Sequence, residues 1–463
     1  MTVHPHDQPR VHPQGNDETM LRELQRDTFE FFRHEVNPRN GLIRDKTAPG
    51  SPSSIAALGM GLSIYPVAVE RDLMSRHEAS ARTLTLLQFL HDAPQGPESD
   101  ATGHHGFFYH FLDMDTGRRA WTCELSTVDT AILMAGVLTA VAYFTNANDT
   151  ERMIRELGDR LYRRVDWQWA LNGGHTITHG WKPESGFLPY RWDQGYSEAI
   201  LLYVLAMGSP THPIDPRGYR EWTSTFEWKT IYGLDQIYAG PLFIHQMSHV
   251  WLDFRGIRDD VNRVHDLDYF ENSRRATSAQ QQYAIDNPLG FEHYHRYGWG
   301  LTASDGPGYV VRTVKGVRRK FFDYVARGMP FGPDDGTISP WAATTSLPFA
   351  PELVLDTVRH AIERIDLARR TPYGFDASFN PTFPDTSRNV HGWVSPWIFG
   401  LNQGPIILMI ENFQSGLIWQ CLRTCRYAVD GLVRGGFRGG WLDHAAQHTK
   451  AGIVDPANQK QPT

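Results

Sequence analysis

The chain lacks any segment able to cross a membrane. No apolar run approaches the ~20 residues that a spanning helix needs, and Met1-Thr2-Val3-His4-Pro5-His6 has no apolar signal core. Cysteine is scarce, with Cys123, Cys421 and Cys425 the only three in 463 residues. An odd count without a CxxC pair argues against a disulfide framework or a cysteine-based zinc site and predicts reduced, mostly buried thiols. Charge of one sign never accumulates. The 45 basic and 52 acidic residues leave a net charge of −7, which offers nothing to nucleic acid or to an anionic membrane. GxSxG, P-loop and dinucleotide fingerprints are missing. Gly435-Gly436-Phe437-Arg438-Gly439-Gly440 has the wrong glycine spacing for the last of these. These absences predict a cytoplasmic protein with neither a nucleic-acid nor a membrane partner.

Aromatic residues, by contrast, are plentiful: 14 Trp, 18 Tyr and 24 Phe. Many fall in Gly- and Pro-containing segments between helical runs, among them Trp181, Trp192, Trp299, Tyr309, Trp341, Trp393 and Trp397. Rings on loops more often line a site than fill a core. Flat apolar rings suit the apolar faces of pyranose sugars, so this distribution predicts a carbohydrate ligand.

Helical periodicity recurs along the chain. It predicts helices over 17–36, from Ser53 or Ser54 to about 70, 75–90, 130–144 and 149–165, with another starting near Asp193. Later candidates are 219–230, 242–256, 268–286, 338–347, 351–369 and 403–427. Ser75-Arg76-His77-Glu78 is a capping box, and Ser126-Thr127-Val128-Asp129 resembles one with Asp in place of Glu. Short β pieces fit 106–112 and 309–314. The expectation is an all-α fold of about twelve helices, several without a polar face, arranged as an (α/α)6 toroid with long aromatic loops on one face. Residues 1–16 and 441–463 read as polar tails, and 17–440 as a single catalytic domain.

Glu198 is the foremost chemical candidate. It lies in Trp192-Asp193-Gln194-Gly195-Tyr196-Ser197-Glu198, directly before an apolar helical stretch. A carboxyl between Trp192, Tyr196 and core residues loses hydration, and its pKa rises toward that of a general acid. Alternatively, Glu198 only accepts helix N-terminal amides. Asp129 can cap its helix or act in catalysis. Glu124 lies on the loop before that helix. Asp305 sits between Trp299 and Tyr309 in a turn-rich stretch, where Asp is also a common turn former. Glu411, inside the last long helix, has to be paired if buried, which assigns it a structural role. His245 and His249 have helical i, i+4 spacing without the glutamate of HExxH, so together with Arg255 they read as hydrogen-bonding groups near a site. No metal or other cofactor is expected.

Several segments, in order, carry a family resemblance. They include Pro52-Ser53-Ser54-Ile55-Ala56-Ala57, Ser126-Thr127-Val128-Asp129-Thr130, Gly195-Tyr196-Ser197-Glu198 and His249-Val250-Trp251-Leu252-Asp253-Phe254-Arg255. Trp299-Gly300-Leu301-Thr302-Ala303-Ser304-Asp305-Gly306-Pro307 and Gln403-Gly404-Pro405 follow. Over roughly 18–437 the chain resembles the glucoamylase-like (α/α)6 domain of glycoside hydrolase family 144, the β-1,2-glucanases, and of cyclic β-1,2-glucan synthases. The resemblance implies a β-1,2-linked glucan or oligosaccharide substrate, no metal, and Glu198 as the acid. The family pattern often has an acidic residue just before Gln-Gly-Pro, where this chain has Asn402 beside Gln403. An amide cannot take up a proton as a carboxylate does. Asp129, Glu124 and Asp305 are therefore the substitutes for the base, and transglycosylation or glucan binding without turnover stand as alternatives to hydrolysis. The expected sugar contacts are Trp192, Tyr196, His249, Arg255, Trp299, Tyr309, Trp341, Trp393, Asn402 and Gln403.

Overall fold

A helix that is apolar on every side is stable only inside a protein, and several such helices organise this chain. The computed structural model describes residues 15–364, 372–385 and 392–451. Among them are fifteen α-helices. The first eight are α1 (Gly15–His34), α2 (Ile55–Glu70), α3 (Arg76–Asp92), α4 (Thr127–Tyr143), α5 (Asp149–Arg164), α6 (Ile200–Gly208), α7 (Pro216–Thr223) and α8 (Asp260–Val264). The others are α9 (Tyr269–Asp286), α10 (Pro340–Thr345), α11 (Pro351–Arg364), α12 (Gly400–Gln414), α13 (Leu417–Thr424), α14 (Arg426–Arg434) and α15 (Gly440–Ala451).

Helices α2, α4, α6, α10 and α12 are buried almost throughout. They pack in succession, α10 on α12, α12 on α2, α2 on α4 and α4 on α6. Amphipathic helices back them: α1 on α12, α5 on α3 and α4, α14 on α6, and α11 on α10. α2 and α4 cross with their main chains in contact. A Cβ added at Gly59 would lie 2.3 Å from the Ile132 carbonyl oxygen, and one at Gly136 would lie 2.1 Å from that of Gly59. Two polar groups inside this core are tied to the backbone of α2. Trp251 Nε1 donates to Ser63 Oγ (2.8 Å), which donates to the Gly59 carbonyl (3.1 Å). Glu411 fills the structural role expected of it, taking Arg71 at 2.7 and 2.9 Å and Ser415 at 2.5 Å.

The chain also carries more sheet than an all-α reading allows. β1 (Ser53–Ser54) pairs antiparallel with β4 (Phe111–Leu112). A five-stranded antiparallel sheet has the order β2 (Gly103–His104), β3 (Phe107–Tyr109), β5 (Leu125–Ser126), β6 (Gly180–Lys182), β7 (Gly186–Phe187). Two hairpins follow, β8 (Trp228–Ile231) with β9 (Leu234–Ile237) and β11 (Val310–Val314) with β12 (Val317–Phe321). Their two-residue turns, Tyr232-Gly233 and Lys315-Gly316, have positive φ at both positions, as tight hairpins require. β10 (Ala303–Ser304) pairs with β13 (Val325–Ala326), and β14 (Phe379–Asn380) with β15 (Trp393–Val394). The β pieces expected near 106–112 and 309–314 are present, but the sheet β2–β7 was hidden by the shortness of its strands.

Other boundaries differ from expectation. The helix expected from Asp193 begins only at Ile200, because Trp222 and Thr225 hold the approach to it in turns. Residues 242–256 form two 3₁₀ turns, Leu242–His245 and Met247–Val250, instead of one helix. The expected helix 219–230 is cut at Thr223 and gives way to β8, and 403–427 is divided by Gly416, which has φ +74°. The polar tail expected from 441 instead begins in a helix, α15. Leu442 is buried there, and Trp441 Nε1 donates to the Asp253 carbonyl at 2.9 Å. Of the expected N-terminal tail, 1–14 lies outside the described residues and Gly15 already opens α1. No described helix is long and apolar enough to cross a membrane.

Because Gly136 meets backbone, no side-chain movement can make room there. Gly136→Ala is expected to lower unfolding stability by about 1–3 kcal/mol, the usual cost of overpacking. Urea denaturation of the two proteins measures it.

Candidate active site

The N-terminal ends of the buried helices are each preceded by a short strand or turn, and these segments assemble the site. In the sheet, Tyr109 pairs with Leu125 and Phe108 with Ser126, which carries His110 to Glu124. On its other side, the pairing of Ser54 with Phe111 ties His110 to the entrance of α2. His110 Nδ1 lies 2.9 Å from Glu124 Oε1, and Nε2 lies 3.6 Å from Asp129 Oδ2. Ser126 caps α4, accepting the Asp129 N–H at 3.3 Å, and its hydroxyl donates to Asp129 Oδ2 at 2.6 Å. Burial alone would lower the His110 pKa. The charges of Asp129 and Glu124 outweigh it and raise the imidazole to about 9. The hydrogen bond from His110 holds the Glu124 carboxyl down at about 2.

Glu198 lies just before α6 and is half-buried. Ala199 has no side chain to cap this helix. Ser248, from the second 3₁₀ turn, substitutes: its hydroxyl donates to the Glu198 carbonyl (2.8 Å) and accepts the Leu201 N–H (3.1 Å). Upstream, Gly195 takes φ +64°, its carbonyl accepts Trp222 Nε1 (2.7 Å), and its N–H meets Thr225 (3.0 Å). The Glu198 carboxyl is left with its own backbone N–H. Loss of hydration, with the charge of Asp129 adding to it, raises its pKa to about 7.

Further acidic groups share this electrostatic environment. Burial raises Asp45 to about 6 despite Lys46 and His110 beside it. Asp305 is also pushed up by burial and accepts a hydrogen bond from Ser395 Oγ at 2.8 Å. Tyr324 is half open to solvent, but burial of its hydroxyl end and the charges of Asp45, Asp305, Asp129 and Glu198 raise the phenol to about 12. The arrangement separates the carboxyls by function. One pinned to a cation stays ionised, while others are held near the pKa of a proton donor.

The structure thus brings together Glu198, Asp129, Glu124 and Asp305. Trp192 borders them: its Nε1 donates to Thr127 Oγ1 (3.1 Å) and its ring stacks on His179. Trp393 is half-buried on β15, next to Ser395. Tyr309 is exposed, and its hydroxyl reaches the Tyr324 carbonyl at 3.5 Å. Asn402, in the first turn of α12, is largely buried, and no described protein group hydrogen-bonds its side-chain amide.

Of the other expected sugar contacts, five are buried against protein and Arg255 lies elsewhere. Tyr196 stacks on Tyr269 and packs against Phe226 and His245. Trp299 is buried with Nε1 donating to Thr357 (2.9 Å), and Trp341 is buried in the same hydrophobic cluster. His249 is buried against Phe254 and Phe349, and burial lowers its pKa to about 3. Gln403 Nε2 holds the Phe375 carbonyl at 2.9 Å. Arg255 pairs with Asp253, packs over Trp419, and so belongs to the Asn412 end of α12. That end is about 15 Å along the helix from Asn402. For all but Arg255, the neighbourhood in sequence concealed burial created by distant segments.

Asp45, Lys46, His110 and Tyr324 were not anticipated. A signal existed for three of them: Asp45 and Lys46 belong to the charged triplet Arg44-Asp45-Lys46 ahead of an apolar helix, and His110 is the single basic residue in the aromatic run 107–111.

The family model described as "Putative glucoamylase" matches residues 189–426, which include Glu198, Asp305 and Asn402. The chain belongs to this family. It is 29% identical over 437 residues to an exo β-1,2-glucooligosaccharide sophorohydrolase (non-reducing end) of Parabacteroides distasonis, covering 87% of this chain and 56% of that protein. The chain thus spans just over half the length of that relative. Among solved structures, a "putative glucoamylase" from Bacteroides uniformis superposes with a TM-score of 0.81 at 29% identity, over 93% of this chain and 100% of the other. An endo-β-1,2-glucanase from Chitinophaga pinensis, in complex with sophorotriose and glucose, gives 0.80 at 26% identity, over 92% and 99%.

His110 binds its proton more tightly folded than unfolded. Its contribution to stability is complete below its ordinary pKa of 6.5 and is lost as pH rises through about 9. In His110→Asn this part of the alkaline loss should be absent. Urea midpoints of both proteins on either side of that window check it.

Proposed function

We propose that this chain is a glycoside hydrolase that cleaves β-1,2-glucosidic bonds in glucan or gluco-oligosaccharides, with Glu198 as general acid. The observation that carries this reading is the Glu198 carboxyl, half-buried, bonded to no other side chain among the described residues and raised to about 7. A group with that pKa is protonated often enough near neutral pH to donate to the glycosidic oxygen as the bond breaks. The names of the relatives, a sophorohydrolase and an endo-β-1,2-glucanase, support the linkage.

Asp305 is our choice of base. It is carried by β10 and oriented by Ser395, on the segment that leads into α12, whereas Glu198 enters α6. Its raised pKa makes it a better proton acceptor once ionised than Glu124, which is a weak base at about 2. Asp129 keeps His110 charged. Trp192 and Trp393 offer faces to the sugar rings. We read the fold as an (α/α)6 toroid, with 17–440 as one catalytic domain and the cleft at the N-terminal ends of the inner helices. The chain of packed helices α10–α12–α2–α4–α6 supports that reading.

Asn402 favours a second reading, transfer to a sugar hydroxyl in place of water. An unbonded amide stands where the family resemblance expects an acid, so activation of water is weakened on that side.

Glu198→Gln should cut turnover of β-1,2-gluco-oligosaccharides by about 10²–10⁴-fold without unfolding the protein. In the unmodified enzyme, activity that needs the protonated acid should fall as pH rises through about 7. Chromatography of the digestion products tests both, and near-normal turnover by a folded Glu198→Gln protein would remove Glu198 as the acid. Asn402→Asp adds a carboxylate and should raise the ratio of hydrolysis to transfer products. An unchanged ratio in active enzyme would exclude position 402 from water activation.

A further inference from the structure

A cavity of about 740 Å³ lies outside the Glu198 site. Its walls include Asn37, Arg39, Arg44, Ser51, Asp113 and Trp121. We propose that it is a second saccharide-binding site, which holds a length of glucan outside the catalytic cleft.

Trp121 is the first reason. Its side chain is 67% exposed, an unusual position for the largest apolar residue. Its backbone has φ +54°, in the left-handed region that a bulky L residue adopts only at a cost. The chain therefore spends conformational energy to hold an indole face open beside a cavity.

The chemistry of the walls is the second. Arg39 pairs with Asp115 (2.7 Å), and Arg44 with Glu35 (3.0 Å). Arg119, also in the wall, takes Glu184 at 2.6 Å. With each guanidinium already matched, an anion gains little here. A neutral polyhydroxyl ligand gains donors and acceptors together with a flat apolar ring, the combination that a hexose uses.

Position is the third. Phe111 stacks on His110 with ring centroids 4.0 Å apart, and Trp121 meets Phe111 edge-on at 5.2 Å. Arg44 and Ser51 line the cavity, while the next residue after Arg44, Asp45, belongs to the carboxylate group. The loop 44–52 is thus a thin wall between cavity and cleft, and a chain lying over it would engage both. The identity of the sugar rests on the function proposed above; the existence of the site does not.

The test compares kinetics of wild type, Trp121→Ala and Trp121→Phe on long β-1,2-glucan and on a short β-1,2-gluco-oligosaccharide. For Trp121→Ala, KM on the polymer should rise roughly three- to tenfold, the scale of one lost aromatic contact. Its kcat, and both constants on the short substrate, should stay the same. Trp121→Phe should recover most of the polymer KM. An unchanged polymer KM overturns the proposal, and so does an equal rise on both substrates, since the ring would then serve the cleft itself. If wild type turns over neither substrate, the proposed function fails. The site is then read by affinity electrophoresis against soluble β-1,2-, β-1,3- and α-1,4-glucans. Retardation of wild type that Trp121→Ala loses upholds it, and equal or absent retardation for every glucan overturns it.

Discussion

The backbone contact between α2 and α4 at Gly59 and Gly136 is the constraint on which the site depends. With no side chain between them, the two helices cross as closely as main chains allow. Their N-terminal ends then present Ser54 and Ser126 at a fixed spacing, and the strands β4 and β5 that lead to or pair with those ends can share His110 between them. A wider crossing would pull Asp129 away from the imidazole and remove the charge that keeps it protonated.

The electrostatics follow from that spacing. Carboxyls placed together in a partly dehydrated cleft cannot all be ionised at little cost. The structure resolves the conflict unequally. His110 neutralises Glu124 and faces Asp129, while Glu198 is left without a cation and retains its proton to a higher pH. Lys46 lies over Phe399 as well as beside Asp45, so its charge is tied to the entrance of α12 and only partly offsets the burial of Asp45. One firmly ionised carboxylate, Glu124, and several carboxyls with raised pKa therefore arise from one group of chemically similar residues.

Much of this was legible in the sequence. The all-apolar stretches gave the buried helices, Ser75 and Ser126 cap as their motifs predict, and Glu198 stood out because a carboxyl ran directly into core residues. The tryptophans divided. Trp192 and Trp393 border the site, whereas Trp299 and Trp341 are core, since α11 and strand segments from elsewhere in the chain cover them. Nothing local distinguishes the two pairs, because each lies near glycine or proline. His110 escaped notice for a similar reason: its partners are 14 and 19 positions away, brought near by strands of two or three residues that periodicity cannot detect. Asp45 is placed by the bridges of its neighbours, Arg44 to Ser53 and Lys46 to Phe399, the second of them more than 350 positions away.

Ser248 carries a different consequence. The helix behind Glu198 is begun by a hydroxyl from a turn 50 residues downstream, so the aim of the carboxyl is set by two anchored points and not by the path between them. Trp222 and Thr225, which hold Gly195, have to stay, but the tip of the β8–β9 hairpin is free to lengthen, shorten or change sequence while the carboxyl keeps its bearing. A lineage of such proteins can therefore remodel that stretch of surface, and with it the shape offered to a ligand, without having to invent its chemistry again.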